Sequence, residues 1–305
     1  MTVDFVLCID GGGTKTEASL RNTDGRDIAQ SRTGPCNLFQ DPESGLAAIT
    51  QAWHACCATA GLTPADAAPR TALSAGLAGI HAPGATARLT SHFEAFAELF
   101  LSSDGYTMLA GAVPHGPGRL IAVGTGTVGC RFDPAGRFIL RGGWGFPVGD
   151  EGSGAWLGLQ MVAAWLRHRD GAERDPASEP LWQALELKLG QERHQILGWL
   201  RGAPPAHFAS LAEIALASPA PAAQRLLDRA ATHLRHLALA LGGEEPLHLS
   251  GGLATSLAPR LRALMSPHQV TPCAPSALDG AFAIAMGMRD AELHAASGRS
   301  PARVN

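Results

Sequence analysis

The segment Val3-Asp4-Phe5-Val6-Leu7-Cys8-Ile9-Asp10 runs directly into the turn Gly11-Gly12-Gly13 and then into an alternating segment, Thr14 to Arg21. This order predicts a buried strand, a tight turn and a second strand. A further turn at Asn22-Thr23-Asp24-Gly25 leads into Arg26 to Ser31, so the start of the chain predicts a three-stranded meander. Because glycine lets backbone N–H groups approach an anion closely, the first turn is a candidate polyphosphate site.

The same strand-and-glycine pattern recurs twice further along the chain. Leu120-Ile121-Ala122-Val123 ends in Gly124-Thr125-Gly126-Thr127, and the strand Leu247-His248-Leu249 meets Gly251-Gly252. One such turn is often only a tight hairpin, but three of them favour a nucleotide site. Since the first two turns lie in different halves of the chain, they also predict two lobes of related design.

The length of 305 residues agrees with two lobes, because single hydrophobic cores rarely exceed about 250–300 residues. The break Gly116-Pro117-Gly118 predicts an N-terminal α/β lobe over 1–116 and a C-terminal α/β lobe with a helical insertion over 117–288. A tail, 289–305, follows. Other predicted elements are helices over Pro42 to Ala60, Pro83 to Phe96 and Ala277 to Met288, and strands over Arg70 to Ala75 and Glu98 to Ser102.

Composition and charge exclude several classes of function. The formal net charge is −3 with no run of Lys or Arg, which argues against nucleic acid as a partner. The acidic start does not predict a signal peptide, and no apolar stretch approaches the roughly 20 residues that span a bilayer. Six scattered cysteines without C-x-x-C spacing predict neither a disulfide framework nor a metal cluster, and indicate reduced thiols in the cytoplasm.

Two common nucleotide motifs can be tested by their spacing. A P-loop needs a lysine after its second glycine, and neither Lys15 nor Lys188 stands at that spacing. Gly124 to Gly129 matches G-x-G-x-x-G, but the dinucleotide fingerprint must open a helix, whereas Cys130 to Leu140 predicts a turn and an alternating strand. The sequence therefore argues against both a Walker-type and a Rossmann site.

Three aspartates, Asp10, Asp104 and Asp150, each end an apolar segment beside small residues. Phosphoryl transfer needs one carboxylate to hold Mg²⁺ and one to accept the proton of the acceptor hydroxyl. Each aspartate could instead be an ordinary helix cap or turn residue. Three candidates are available for two roles.

The histidines and aromatic residues in the second half of the chain are better explained by structural roles than by metal binding or catalysis. His233 and His236 share one helical face, but no carboxylate in the local sequence completes a metal site around them. Trp156, Met161 and Trp165 follow helical spacing and are predicted to lie in the core.

Taken in order, these motifs resemble the actin-like ATPase and sugar-kinase superfamily. Asp10-Gly-Gly-Gly-Thr-Lys-Thr is similar to its first phosphate motif, Gly124-Thr-Gly-Thr to its second, and Leu249-Ser-Gly-Gly-Leu to its adenosine motif. Within that superfamily, Leu101-Ser-Ser-Asp104-Gly and the block Gly142–Ser153 resemble N-acetylglucosamine kinases and bacterial glucosamine kinases, grouped with the BadF/BadG-type ATPases. The resemblance spans nearly the whole chain.

The resemblance implies two ribonuclease-H-like lobes around a central cleft, with the final helix packing on the first lobe. It also implies ATP and Mg²⁺ as cofactors, a homodimer, and transfer of phosphate to the 6-hydroxyl of glucosamine or N-acetylglucosamine. By similarity, Asp104 is the general base and Asp10 holds Mg²⁺. The implied phosphate and nucleotide contacts are Gly12, Gly13, Thr14, Lys15, Thr16, Gly124, Thr125, Gly126, Thr127, Gly251 and Gly252, and the implied sugar contacts are Asn37, Asp104, Gly143, Trp144 and Asp150.

Two other functions remain open at this level. One is a BadF-type ATPase that activates an electron-transfer dehydratase, for which the cysteines offer no convincing cluster site. The other is a sugar-sensing protein on the same scaffold, which would be expected to carry an N-terminal helix-turn-helix, whereas the first predicted strand starts at Val3. Whether the preferred amino sugar is acetylated also stays open.

Overall fold

The computed structural model describes residues 3–265, 270–296 and 302–303. The chain forms two compact units: Met1–Pro117 with Pro134–Arg137 and Pro275–Asn305, and Gly118–Asp133 with Phe138–Ala274. Each unit combines one mixed sheet with α-helices, which confirms the predicted α/β class with two lobes. No helix of the described ranges is long and apolar enough to cross a membrane.

The first unit is built on the predicted meander. Strands β1 (Phe5–Gly11), β2 (Thr16–Asn22) and β3 (Asp27–Thr33) pair antiparallel in sequence order. Strand β4 (Thr71–Leu77) pairs parallel to β1, and β5 (Glu98–Ser102) pairs parallel to β4. The carboxyl ends of β1, β4 and β5 therefore lie at one edge of the sheet.

Helices cover both faces of this sheet. They are α1 (Pro42–Ala60), α2 (Pro64–Ala67), α3 (Ala85–His92), α4 (Asp104–Ala112) and, from the end of the chain, α12 (Ala277–Ala285). Leu7 and Ile9 of β1 belong to the core that contains α1, whereas Val6 and Cys8 pack against Ala281 of α12. Because successive side chains of a strand point to opposite faces, this alternation explains why β1 is apolar without interruption.

The second unit repeats the strand order of the first. Its strands are β6 (Gly118–Val123), β7 (Thr127–Phe132), β8 (Phe138–Gly142), β9 (Leu247–Ser250) and β10 (Val270–Pro272). The order β10-β9-β6-β7-β8 matches β5-β4-β1-β2-β3, with an antiparallel meander followed by two parallel pairings. The first sheet alone is extended, by β11 (Leu293–Ala296) and β12 (Ala302–Arg303) beyond β5, within the described residues. The predicted repetition of design is confirmed.

Helices fill the middle of the chain as predicted. They are α5 (Gly154–Arg169), α6 (Glu179–Leu189), α7 (Arg193–Leu200), α8 (Pro205–Ala209), α9 (Ala212–Ala217), α10 (Pro221–Leu241) and α11 (Ala254–Leu264). Trp156, Met161 and Trp165 of α5 are buried in the core that these helices share with β6 and β9, which confirms their predicted role.

Two predicted helix ends are wrong, and each has a local cause. The helix expected to reach Phe96 ends at His92, because Phe93 and Phe96 turn inward and pack edge-to-face, with ring centroids 5.8 Å apart. The helix expected to reach Met288 ends at Ala285, because Gly287 adopts a left-handed conformation (φ 68°) and Met288 N–H bonds back to the Ala283 carbonyl.

Candidate functional site

In the first unit, three predicted site residues lie at the edge where the parallel strands end. Asp10 is the penultimate residue of β1, and Asp104 begins α4 one residue after β5. Asn37 forms an isolated parallel bridge with Ala78, directly after β4. The sheet topology therefore gathers a base candidate, a metal-binding candidate and a sugar-binding candidate from distant parts of the sequence.

Asp10 and Asp104 are carboxyls that burial makes harder to ionise. Burial is the main reason that the pKa of Asp10 rises to about 6, and the negative charges of Asp104 and Glu17 raise it further, against Lys15. Burial also raises the pKa of Asp104, although the backbone N–H of Gly105 donates to its Oδ1 at 2.8 Å and favours the ionised form. Two carboxylates that repel each other in a half-buried place are suited to a divalent cation, which would relieve that repulsion.

The first glycine turn leaves its backbone accessible. Gly12 N–H bonds to the Lys15 carbonyl at 2.9 Å and closes the turn, while Gly13 and Thr14 are exposed. Lys15 Nζ lies 2.6 Å from Glu17 Oε1. Thr16 is fully buried and its hydroxyl donates to the Gly34 carbonyl at 2.9 Å, so its side chain anchors the turn from beneath.

Asn37 lies beside this turn. Its Oδ1 accepts from the N–H groups of Phe39 (3.1 Å) and Gln40 (3.3 Å), which fixes the orientation of the amide. A Cβ built on Gly13 would be 3.9 Å from Asn37 Nδ2, so the amide nitrogen is adjacent to the phosphate-turn candidate. The arrangement leaves Nδ2 as the donor that could reach a ligand.

In the second unit, the second and third glycine turns meet at the carboxyl ends of β6 and β9. Gly154 N–H bonds to the Gly124 carbonyl (2.8 Å), and Ala155 N–H bonds to the Thr125 carbonyl (3.1 Å). The carbonyls of the second turn thus accept the first N–H groups of α5, which places the turn at the positive end of this helix dipole. Gly251, at φ 98°, lies against β6, since a Cβ on it would be only 2.4 Å from the Val123 carbonyl oxygen.

The segment after Gly126 forms strand β7 and not a helix. This confirms the exclusion of a dinucleotide fingerprint at Gly124 to Gly129.

Asp150 and Gly143 are held by the second turn. Thr127 N–H donates to Asp150 Oδ1 at 3.2 Å, and Gly143 N–H bonds to the Thr127 carbonyl at 3.1 Å. Asp150 has a positive φ of 62°, unusual for a residue with a side chain. Trp144 between them is 88% exposed. The buried hydroxyl of Thr127 has no hydrogen-bond partner among the described residues, which fits a turn that takes a ligand oxygen.

A cavity of about 320 Å³ opens beside this turn within the second unit. Its lining residues are Thr127, Gly142, Asp150, Glu151, His233, His236, Leu237 and Ala240. Burial lowers the pKa of His233, whose ring meets Trp156 edge-to-face at 4.9 Å. Across the part of the chain that the structure describes, no group of three or more His, Cys, Asp and Glu side chains could hold a metal by itself.

The family follows from a comparison with known sequences. The sequence profile of the BadF/BadG/BcrA/BcrD ATPase family matches residues 7–267. The chain belongs to this family. Membership of this ATPase family implies that the chain uses ATP.

Two proteins similar in sequence to this chain have amino-sugar kinase names. The glucosamine kinase GspK of Vibrio cholerae is 27% identical over 270 residues, which cover 87% of this chain and 89% of that protein. An N-acetylmuramic acid/N-acetylglucosamine kinase of Clostridium acetobutylicum is 25% identical over 54% of this chain and 55% of its own length.

Solved structures agree with the fold. A candidate N-acetylglucosamine kinase from Chromobacterium violaceum is 33% identical, with a TM-score of 0.79 over 92% of this chain and 98% of that chain. A ROK family glucokinase from Streptomyces griseus, at 16% identity, has a TM-score of 0.52 over 93% of this chain and 99% of its own, and shows the fold alone.

Two residues near Asp104 could not be recognised as candidate site residues from the local sequence. His81 lies in the segment between β4 and α3, and its charge would lower the pKa of Asp104. Glu292 contacts Ser103, 189 positions earlier in the chain. Neither belongs to one of the three glycine turns described above or ends an apolar strand, so only the folded arrangement brings them to this edge.

Proposed function

We propose that this member of the BadF/BadG/BcrA/BcrD ATPase family is an amino-sugar kinase that transfers the γ-phosphoryl group of ATP to the 6-hydroxyl of glucosamine or N-acetylglucosamine. The observation that carries the proposal is the pair of half-buried carboxyls, Asp10 and Asp104, beside an accessible glycine turn. The names of the relatives support an amino sugar as acceptor.

Asp104 is the proposed general base. Gly105 N–H holds Oδ1, and Oδ2 would accept the proton of the sugar hydroxyl as its oxygen bonds to the γ-phosphorus and the bond to the ADP oxygen breaks. A raised pKa suits this role, because a stronger base accepts the proton more readily.

Asp10 is the proposed residue for Mg²⁺. The hard oxygen donors and the mutual repulsion of Asp10 and Asp104 fit this cation, which usually binds through one or two carboxylates and substrate phosphates. When bound, Mg²⁺ would neutralise charge on the phosphates. Gly13 and Thr14 would contribute backbone donors, while Gly12 closes the turn through the Lys15 carbonyl and Thr16 anchors it through Gly34.

The other proposed nucleotide contacts lie on residues of the second unit. Thr125, Gly126 and the Thr127 hydroxyl would donate to phosphate oxygens, while Gly124 closes the turn through the Gly126 carbonyl, and Gly251 and Gly252 would flank the adenosine. Asn37, Gly143, Trp144 and Asp150 remain the proposed sugar contacts on the resemblance to amino-sugar kinases.

A panel of sugars with ATP and Mg²⁺, read by ADP release, tests the proposal. We expect release to depend on an amino sugar, and the ratio of kcat/KM between glucosamine and N-acetylglucosamine identifies the preferred acceptor. Equal ATP turnover with and without any sugar would refute the proposal in favour of an ATPase that activates another protein, which the names of the relatives do not favour. The implied homodimer is tested separately by a molar mass twice the 31.6 kDa of one chain.

A further inference from the structure

The segment from Arg289 to Glu292, which follows α12, contacts the residue before α4, the first turn of α4 and the residues just after it. Arg289 Nη2 donates to the carbonyls of Val113 (3.1 Å) and Gly116 (2.6 Å), just beyond the last turn of α4. The hydroxyl of Tyr106, inside α4, donates to the Asp290 carbonyl at 2.7 Å. Because Asp104 is the first residue of α4, this segment restrains the helix that carries the proposed base.

Glu292 makes the contacts at the start of α4. Its Oε2 accepts hydrogen bonds from the backbone N–H of Ser103 at 2.5 Å and from the Ser103 hydroxyl at 2.9 Å. Its own N–H donates to Ser102 Oγ at 3.3 Å, and its Oε1 lies 3.6 Å from His81 Nε2. The side chain is only 17% exposed, so these bonds are largely shielded from competing water.

Ser103 is the only residue between the end of β5 at Ser102 and the start of α4 at Asp104. As the N-cap of α4, it makes no capping bond with its own side chain. Its backbone torsions therefore set the direction in which α4 and the Asp104 carboxyl leave the sheet. Ser102 and Ser103 form the joint between β5 and α4. Glu292 bonds to both residues and therefore restrains this joint.

We propose that Glu292 is a positioning residue for Asp104, fixing the carboxyl of the base through its bonds to Ser103. The inference rests on the role proposed above for Asp104. A displacement of about 1 Å in a reacting group can cost about 100-fold in rate, so even a small release of the joint should be measurable.

The test compares three substitutions. Glu292→Ala removes both bonds to Ser103, and we expect kcat to fall about 10- to 100-fold while the KM values for sugar and ATP stay within about threefold. Glu292→Gln keeps an amide oxygen that can accept both bonds, and should retain kcat within about 1.5-fold. The matched control is Glu98→Ala, which removes a carboxylate from the other end of β5, where Glu98 Oε2 lies 3.1 Å from His294 Nε2 of β11; its kcat should be unchanged.

Two outcomes overturn the proposal. A kcat for Glu292→Ala equal to that of Glu98→Ala would show that the joint needs no such restraint, and a loss that Gln does not restore would show that the bonds to Ser103 are not the cause. If Glu292→Ala fails to fold, Ser103→Ala, which removes only the hydroxyl bond, should lower kcat about threefold at unchanged KM, and no decrease would overturn the proposal.

Amide hydrogen exchange separates this proposal from the proposed function. If the wild-type protein phosphorylates no sugar, the proposed function fails, but exchange at residues 103–107 still reports on the joint. We expect at least tenfold faster exchange there in Glu292→Ala than in Glu98→Ala. Equal exchange in the two variants would refute the restraint whatever the activity.

Discussion

Replacing Asp10 with Asn should stabilise the ligand-free protein at neutral pH. Burial and the neighbouring carboxylates raise the pKa of Asp10 from 3.8 to about 6 in the folded state. In the unfolded chain the group ionises at its ordinary value, so between pH 3.8 and 6 the folded state binds more protons. The free energy of unfolding therefore falls as pH rises through this window and stays lower above it.

The magnitude follows from the size of this shift. About two pKa units, at 1.36 kcal/mol each, amount to roughly 3 kcal/mol of destabilisation at pH 7.5. Asn removes the charge and keeps the shape, so we expect a gain of about 2–3 kcal/mol, which is a rise of about 4–10 °C in the melting temperature of the unit that contains it. At pH 4 the carboxyl is mostly protonated in the folded state, and the gain should nearly vanish.

Thermal unfolding of both proteins at pH 4, 5.5 and 7.5, without nucleotide or Mg²⁺, measures the effect. The control is Asp66→Asn, an exposed aspartate in the first turn of α2, which should change stability by less than about 0.5 kcal/mol. A melting temperature for Asp10→Asn at or below wild type at pH 7.5, or a gain independent of pH, would refute the electrostatic reasoning. The same variant should lose Mg²⁺-dependent ADP release, which would separate the function of this carboxylate from its cost in stability.

Three further predictions concern other site residues. Asp104→Asn should lower kcat about 10²- to 10⁴-fold without lowering the melting temperature, because its carboxyl is already costly to ionise; steady-state kinetics with calorimetry would decide, and normal turnover would exclude it as the base. Asn37→Ala should raise the sugar KM by a factor equivalent to about 1–3 kcal/mol with kcat less affected, and an unchanged KM would leave Asn37 as a turn residue only. Gly251→Ala should destabilise the second unit by more than about 1 kcal/mol in chemical denaturation, because the positive φ of Gly251 and its close approach to β6 exclude a Cβ. Gly252→Ala is the control and should cost far less, because there is open space around Gly252. Equal losses of stability in the two variants would contradict this reasoning.

The sequence predicts this fold best where the signals are local. Asp41 caps α1 by accepting from Ser44 N–H, and Gly61 ends the helix in the left-handed conformation, as their positions before Pro42 and after Ala60 indicate. The glycine turns follow their strands as predicted, and parallel pairing then places the strand ends at one edge. Aspartates that follow apolar strands are therefore recognisable as candidate site residues from the sequence alone.

Helix α4 shows why the rest could not be predicted. Gly105 and Gly111 lower the helix propensity of the segment after Asp104, and its sequence does not indicate a helix. Gly111 belongs there because α12 packs very closely: a Cβ on Gly111 would lie 2.2 Å from the Ser276 carbonyl oxygen, and one on Gly280 of α12 would overlap the Thr107 carbonyl. A contact between residues so distant in sequence leaves no local pattern, and the same holds for Glu292 and Ser103.

The late position of α12 in the chain has a consequence for synthesis on the ribosome. On one face of β1, Val6 and Cys8 pack against Ala281 of α12. This face therefore stays uncovered until most of the polypeptide has been synthesised. The second unit, nearly continuous from Gly118 to Ala274, can meanwhile fold vectorially. A stalled nascent chain ending at Ala274 should therefore expose an apolar sheet surface that a chaperone captures, and release of the full-length chain should abolish that capture.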